Sequence, residues 1–111
     1  MERIFHIVAA AEWQAACEVG RYVPQSIARE GFVHCSFAHQ VAGTANHLYR
    51  DRQDLIVVEV DPSRLEDPVV VEDLYGMNQD FPHVYGAIPT RAAVASHDLS
   101  RDRRGDFTFA A

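Results

Sequence analysis

Two short segments place an imidazole two residues from a hydroxyl: Gly31-Phe32-Val33-His34-Cys35-Ser36 and Phe81-Pro82-His83-Val84-Tyr85-Gly86. Imidazole is the side chain that changes charge nearest neutrality, so each segment could hold or move a proton. Ser36 could donate to a ligand or act as a weak nucleophile activated by His34. His83 could serve as a general acid or base, with Tyr85 stacking on a ring or donating its hydroxyl. His6, on the first apolar run, would complete a site drawn from three distant pieces of chain. Each of these residues also has a structural role open to it. Ser36 sits where a helix N-cap belongs. Phe81, Val84, Tyr85 and Ile88 could anchor a folded loop that ties His83 to the backbone. A lone histidine on a strand face, such as His6, is commonly a satisfied core group.

Other chemistries are narrowed by what the chain lacks. Six histidines invite a metal, yet His39 and His47 lie eight apart and no His-x-x-x-His or Cys-x-x-Cys pair occurs, so no metal site is expected. All ten basic residues are arginine. Without a lysine amine there is neither a Walker-type phosphate loop nor a Schiff base. Arg3, Arg21, Arg29, Arg50 and Arg91 remain available for bidentate grip on a carboxylate or phosphate. The formal charge of −6 argues against bulk binding of nucleic acid. No Gly-x-Ser-x-Gly elbow is present, which disfavours a serine hydrolase of the usual α/β type. Cys17 and Cys35 make no disulfide framework, and no apolar run is long enough for a signal peptide or a membrane span. A cytoplasmic setting is the expectation.

The elements that must position these groups follow from periodicity. The 111 residues suit one domain. Ile4 to Val8 reads as a strand with Phe5 and Ile7 on one face and Ile4, His6 and Val8 on the other. Glu12 to Val19 reads as a helix with Trp13, Ala16 and Cys17 on one side and Gly20 as its left-handed end. Tyr22 to Glu30 reads as a loop with at most one helical turn. Phe32 to Cys35 is a second strand, with Phe32 and His34 on a common face. Behind Ser36, the spacing of Phe37, Val41, Ala45 and Leu48 predicts a helix. Leu55 to Val60, almost wholly apolar, reads as a central strand covered on both sides. Further strands are expected at Val69 to Glu72, Ala92 to Ser96 and Phe107 to Phe109, with a loop at Asp73 to Asp80 and a charged turn at Ser100 to Asp106. Glu59 and Glu72, at strand ends, could orient a hydroxyl, pair with an arginine or reach solvent. The fold class is α+β, with about two helices on five or six short strands.

The pattern from Ile4-Phe5-His6-Ile7-Val8 and Glu12-Trp13, through the His34 segment and Gln40, to Asp54-Leu55 and the His83 segment resembles a small bacterial family catalogued as domain of unknown function 952. That family is grouped with the ADP-ribosyltransferase-like superfamily. The resemblance implies a split β-sheet fold with NAD or a related nucleotide in a central cleft, as substrate rather than resident cofactor. It implies that His6 and Tyr85 hold the nucleotide, and that His34, Ser36 and His83 do the chemistry on the nicotinamide glycosidic bond. The chain departs from the family pattern at Phe37, where a threonine is common, and at Tyr75 to Asp80, where an arginine and paired glycines are common. A non-enzymatic binding or interaction module, with the histidine segments as fold residues, is the alternative.

Overall fold

The computed structural model describes residues 1–110. Strand β1 (Ile4–Ala9) leads directly into α1 (Ala10–Val19). Gly20 ends that helix at φ 94°, its N–H on the Ala16 carbonyl. There follow β2 (Arg21–Tyr22), α2 (Gln25–Glu30), β3 (Val33–His34), a 3-10 turn at Ala38–Gln40 and α3 (Val41–Leu48). The second half is β4 (Leu55–Val60), β5 (Val69–Glu72), β6 (Phe81–Val84), β7 (Ile88–Pro89), β8 (Ala93–Asp98), β9 (Ser100–Arg101) and β10 (Phe107–Thr108).

The strands form two three-stranded antiparallel sheets, β1-β4-β8 and β3-β6-β5, and two small pairs, β2-β7 and β9-β10. Among the described residues a single bridge joins the larger sheets: Phe5 and Ser36 exchange both backbone hydrogen bonds at 2.8 Å. β4 is apolar apart from Glu59 because both its faces are covered. Val57 packs with Phe5, Ile7, Val41, Ala45 and Phe107. Val58 and Val60 pack on the other side with Ile4, Val8, Trp13, Val33 and Ile88. Each such side chain, fully buried, contributes about 1.5–3 kcal/mol.

Three expectations are corrected. The stretch from Tyr22 to Glu30 is not a loop but the end of β2 and a true helix, so the described residues hold three α-helices rather than two. Gly31, at φ 87°, closes α2 and turns the chain into β3, which delivers His34. Ser36 does not cap a helix. Gln40 takes the Phe37 N–H on its side-chain oxygen (2.9 Å), which leaves the Ser36 hydroxyl to pair with Thr44 at 3.1 Å. The His83 segment is not a shaped loop but β6, the middle strand of its sheet. Pro82 is tolerated there because its carbonyl still accepts from the Cys35 N–H at 3.0 Å.

Candidate functional site

β1 is an edge strand of its sheet, and beside its free edge lies a cleft of about 850 Å³ lined by Phe5 to Ala9. α3 adds Thr44, His47 and Leu48, spaced to share one helix face. α2 adds Ser26 and Arg29, and the segment after β5 adds Tyr75 and Met77. Arg52 also faces the cleft, its charge tied to Asp54 through two bonds of 2.8 and 2.7 Å.

The register of β1 fixes which of its backbone groups face this space. Phe5 spends its N–H and C=O on Ser36, away from β4. By the two-residue alternation of an antiparallel ladder, the N–H and C=O of Ile7 also point to the free edge. Ile7 lines the cleft, and among the described residues no turn, loop or bridge bond is made to its backbone. A donor and an acceptor, side by side, are therefore turned toward the cleft edge on a residue that is itself largely buried.

The imidazoles form a connected set whose tautomers follow from their partners. His83 is fully buried, stacked on Phe32 with ring centroids 4.1 Å apart. Its Nδ1 lies 2.9 Å from Glu72 Oε2. A carboxylate only accepts, so this nitrogen carries a proton. The Tyr85 hydroxyl donates to the same oxygen. These two bonds hold the Glu72 carboxyl below the usual range. The other nitrogen of His83, Nε2, lies 3.1 Å from His34 Nδ1. With His83 neutral, Nε2 is an acceptor and His34 Nδ1 must donate. That leaves His34 Nε2, on a ring that lines the cleft, as a bare lone pair. Burial, then the neighbouring His83 and His6, lower the His34 pKa to about 4, so the ring is neutral at physiological pH.

His6 is locked at both ends. Its Nδ1 donates to the His34 carbonyl at 2.7 Å, which obliges Nε2 to accept from the Tyr22 hydroxyl at 2.8 Å. Burial lowers its pKa to about 4 as well. The same force raises the Tyr22 phenol far above its ordinary value, so its proton stays in place. Cys35, between His34 and Ser36, is buried and its thiol is pushed up to about 12. It is inert as a nucleophile.

Of the residues singled out by sequence, His6, His34 and Ser36 line the cleft. His83 stands behind His34, and Tyr85 stands behind Glu72; neither reaches the cleft wall. Sequence reasoning did not connect Glu72, two positions along β5 from the residue opposite His83, to the imidazoles. Nor did it find Tyr22, Tyr75 or the edge groups of Ile7. The one signal available was Glu72 at a strand end, which by itself could equally have met solvent. Among the described residues no three or more His, Cys, Asp or Glu side chains converge as metal donors. No helix of those residues is long and apolar enough to cross a membrane.

Residues 7–96 match the family model described as Protein of unknown function (DUF952). The chain belongs to the DUF952 family. Both imidazole segments and Glu72 fall inside the matched residues, whereas His6 lies one residue before them. Among solved structures, this DUF952 chain is similar to the crystal structure of protein CC0527 from Caulobacter crescentus. The identity is 28%, the TM-score 0.83, and the match covers 96% of this chain and 94% of that one. The solution structure of CC0527 aligns at 29% identity and a TM-score of 0.80, covering 96% and 91%. No curated protein matches.

Proposed function

We propose that the cleft binds a nicotinamide-bearing nucleotide of the NAD class and promotes loss of its nicotinamide to water or another hydroxyl. The observation that carries this reading is the register of β1, which turns the N–H and C=O of Ile7 toward the cleft edge. A primary carboxamide presents the complementary acceptor and donor, and is held as an added strand would be. The cleft volume of about 850 Å³ falls in the range of small-molecule sites, and Arg29 offers a cation for a pyrophosphate. The resemblance to the ADP-ribosyltransferase-like superfamily points the same way.

The chemistry suits a site with a proton acceptor and no acid. Nicotinamide departs with the electron pair of its bond to the ribose C1′ and leaves neutral, so it needs no proton. The attacking oxygen bonds C1′ and gives its proton to His34 Nε2. Ser36, paired with Thr44, supplies a hydroxyl near the reacting end. Tyr22 spends its O–H on a hydrogen bond to His6, so its oxygen can accept from a ribose hydroxyl. His6 therefore acts through Tyr22, and Tyr85 acts through Glu72.

Thermal unfolding with NAD, ADP-ribose, nicotinamide and nicotinic acid tests the reading. A ligand at a hundred times its dissociation constant adds about 2.7 kcal/mol, a rise of several degrees. NAD and nicotinamide should stabilise the protein, and nicotinic acid should not, since its carboxylate has no N–H for the Ile7 carbonyl. Equal shifts from nicotinamide and nicotinic acid, or none from any ligand, would overturn it. A second reading, a binding module without turnover, draws on His6 and His83, whose ring nitrogens are all engaged within the protein. Stabilisation by NAD with no release of nicotinamide would select it.

A further inference from the structure

We propose that Glu72 and His83 are positioning residues that hold His34 with its Nδ1 protonated, so that Nε2 faces the cleft as a base and each proton accepted there is relayed to His83 against Glu72. This deepens the reading of the cleft as a place of proton transfer, and its test does not require that the ligand be NAD.

The geometry permits one arrangement of protons for neutral rings. Glu72 Oε2 fixes the proton of His83 on Nδ1 across 2.9 Å. A proton on His34 Nε2 with Nδ1 bare would set two lone pairs against each other across 3.1 Å. The neutral chain is therefore carboxylate, His83 with Nδ1–H, and His34 with Nδ1–H.

Adding one proton permits two arrangements, and the one proposed puts the charge on His83. The proton bonds to His34 Nε2, the His34 Nδ1 proton crosses to His83 Nε2, and His83 becomes the imidazolium. No atom moves far, and the balance is one proton gained by the chain. The charge is displaced because, among the described residues, no carboxylate stands against His34, whose ring meets Phe81 and Tyr75 at 5.0 and 6.0 Å between centroids. His83 is better placed, against the Glu72 carboxylate. Tyr85, donating to the same carboxylate oxygen, lowers its basicity, so the proton stays on the ring. Glu12, Arg29, Glu30 and Arg52 also line the cleft, Glu30 accepting from Tyr75 at 3.3 Å, and none of them bonds either ring.

Long-range 1H–15N correlation of the imidazoles in the whole protein, from pH 8 to pH 3.5, reads this directly. At pH 8, His34 should carry its proton on Nδ1 with Nε2 unprotonated, and His83 should do the same. Glu72→Gln keeps an acceptor for His83 but removes the charge. The tautomers should persist in it while the proton affinity of the His34–His83 pair falls about tenfold or more. Tyr85→Phe should change that affinity in the opposite direction, and it reads the same link if the Glu72 variant does not fold. A His34 proton on Nε2 in the unaltered protein would overturn the proposal. So would an unchanged affinity in Glu72→Gln, or in Tyr85→Phe where that variant has to stand in for it. Failure of NAD to bind, with these tautomers present, would sink the ligand reading and leave the relay intact.

Discussion

Two imidazole–carboxylate pairs occupy the same diagonal in the two large sheets. Val70 stands opposite His83 and Glu72 lies two residues further along β5; Val57 stands opposite His97 and Glu59 lies two further along β4. The nitrogen–oxygen distances are 2.9 and 2.8 Å. Everything around them differs. The His83 side chain is sealed and that of His97 is 27% exposed. The Glu72 carboxylate takes a second bond from the neutral Tyr85, whereas Glu59 meets the charged Arg3 at 3.3 Å. Above all, the second nitrogen of His83 reaches another imidazole, and that of His97 has no partner among the described residues. The same pair is thus one link of a chain in one sheet and a surface tie in the other. What the far nitrogen meets decides which.

Removing each ring should separate the two most sharply. His83→Ala takes away a stacked, buried ring, opens a cavity beside Phe32, and strands both Glu72 and His34 Nδ1. A loss of about 3–5 kcal/mol is expected, as for truncation of a core aromatic. His97→Ala should cost about 1 kcal/mol or less, because a part-exposed pair gains little over water. Urea unfolding of both variants checks this. Equal losses would show that the two pairs are energetically alike and that burial does not set them apart.

The difference between these pairs was only half legible in the sequence. Imidazole beside hydroxyl marked His34 and His83, and strand alternation put Phe32 and His34 on one face, where both now touch His83. β1 and β4 were readable because burial on both faces writes long apolar runs. The link to Glu72 was not readable, since it exists only once β5 pairs with β6, and Pro82 disguised β6 as a turn. α2 escaped because it buries no residue and so leaves no apolar stripe. Ser36 followed the usual cap preference until Gln40 took that role three-dimensionally. The Ile7 edge carries no side-chain signal at all; its backbone groups turn to the cleft because, among the described residues, β1 pairs on that side only at Phe5.

Acid should distinguish the cleft end from the surface end next. Burial holds His6 and His34 at about 4, whereas the unfolded chain protonates each near 6.5. Between those values the unfolded state binds more protons, so stability is full above pH 6.5 and is lost as pH falls toward 4. For the enclosed His6 the gap corresponds to about 3 kcal/mol at most. Glu72 and Asp61, held below the usual range, add their own loss only at still lower pH. Unfolding free energy measured from pH 7.5 to pH 4 should therefore fall in the unaltered protein and in His97→Gln alike, and fall less in His6→Gln. A slope unchanged by His6→Gln would mean that this ring is not the one resisting protonation.

Salt should find the smallest effect, and only at the surface pair. Arg3, Glu59 and His97 are all partly exposed, at 45%, 19% and 27% of their side chains. At 1 M salt the screening length shrinks to about 3 Å, so an ion pair at 3.3 Å in contact with water loses most of its attraction. Glu59→Gln should cost about 0.5–1 kcal/mol at low salt and close to nothing at 1 M. The tie between His83 and Glu72 has a sealed imidazole at one end, where ions do not enter. Its contribution, read from the Glu72→Gln variant, should keep the same size at both salt concentrations. If salt erased both effects equally, solvent would be reaching His83, and the ring could not hold a relayed proton apart from water.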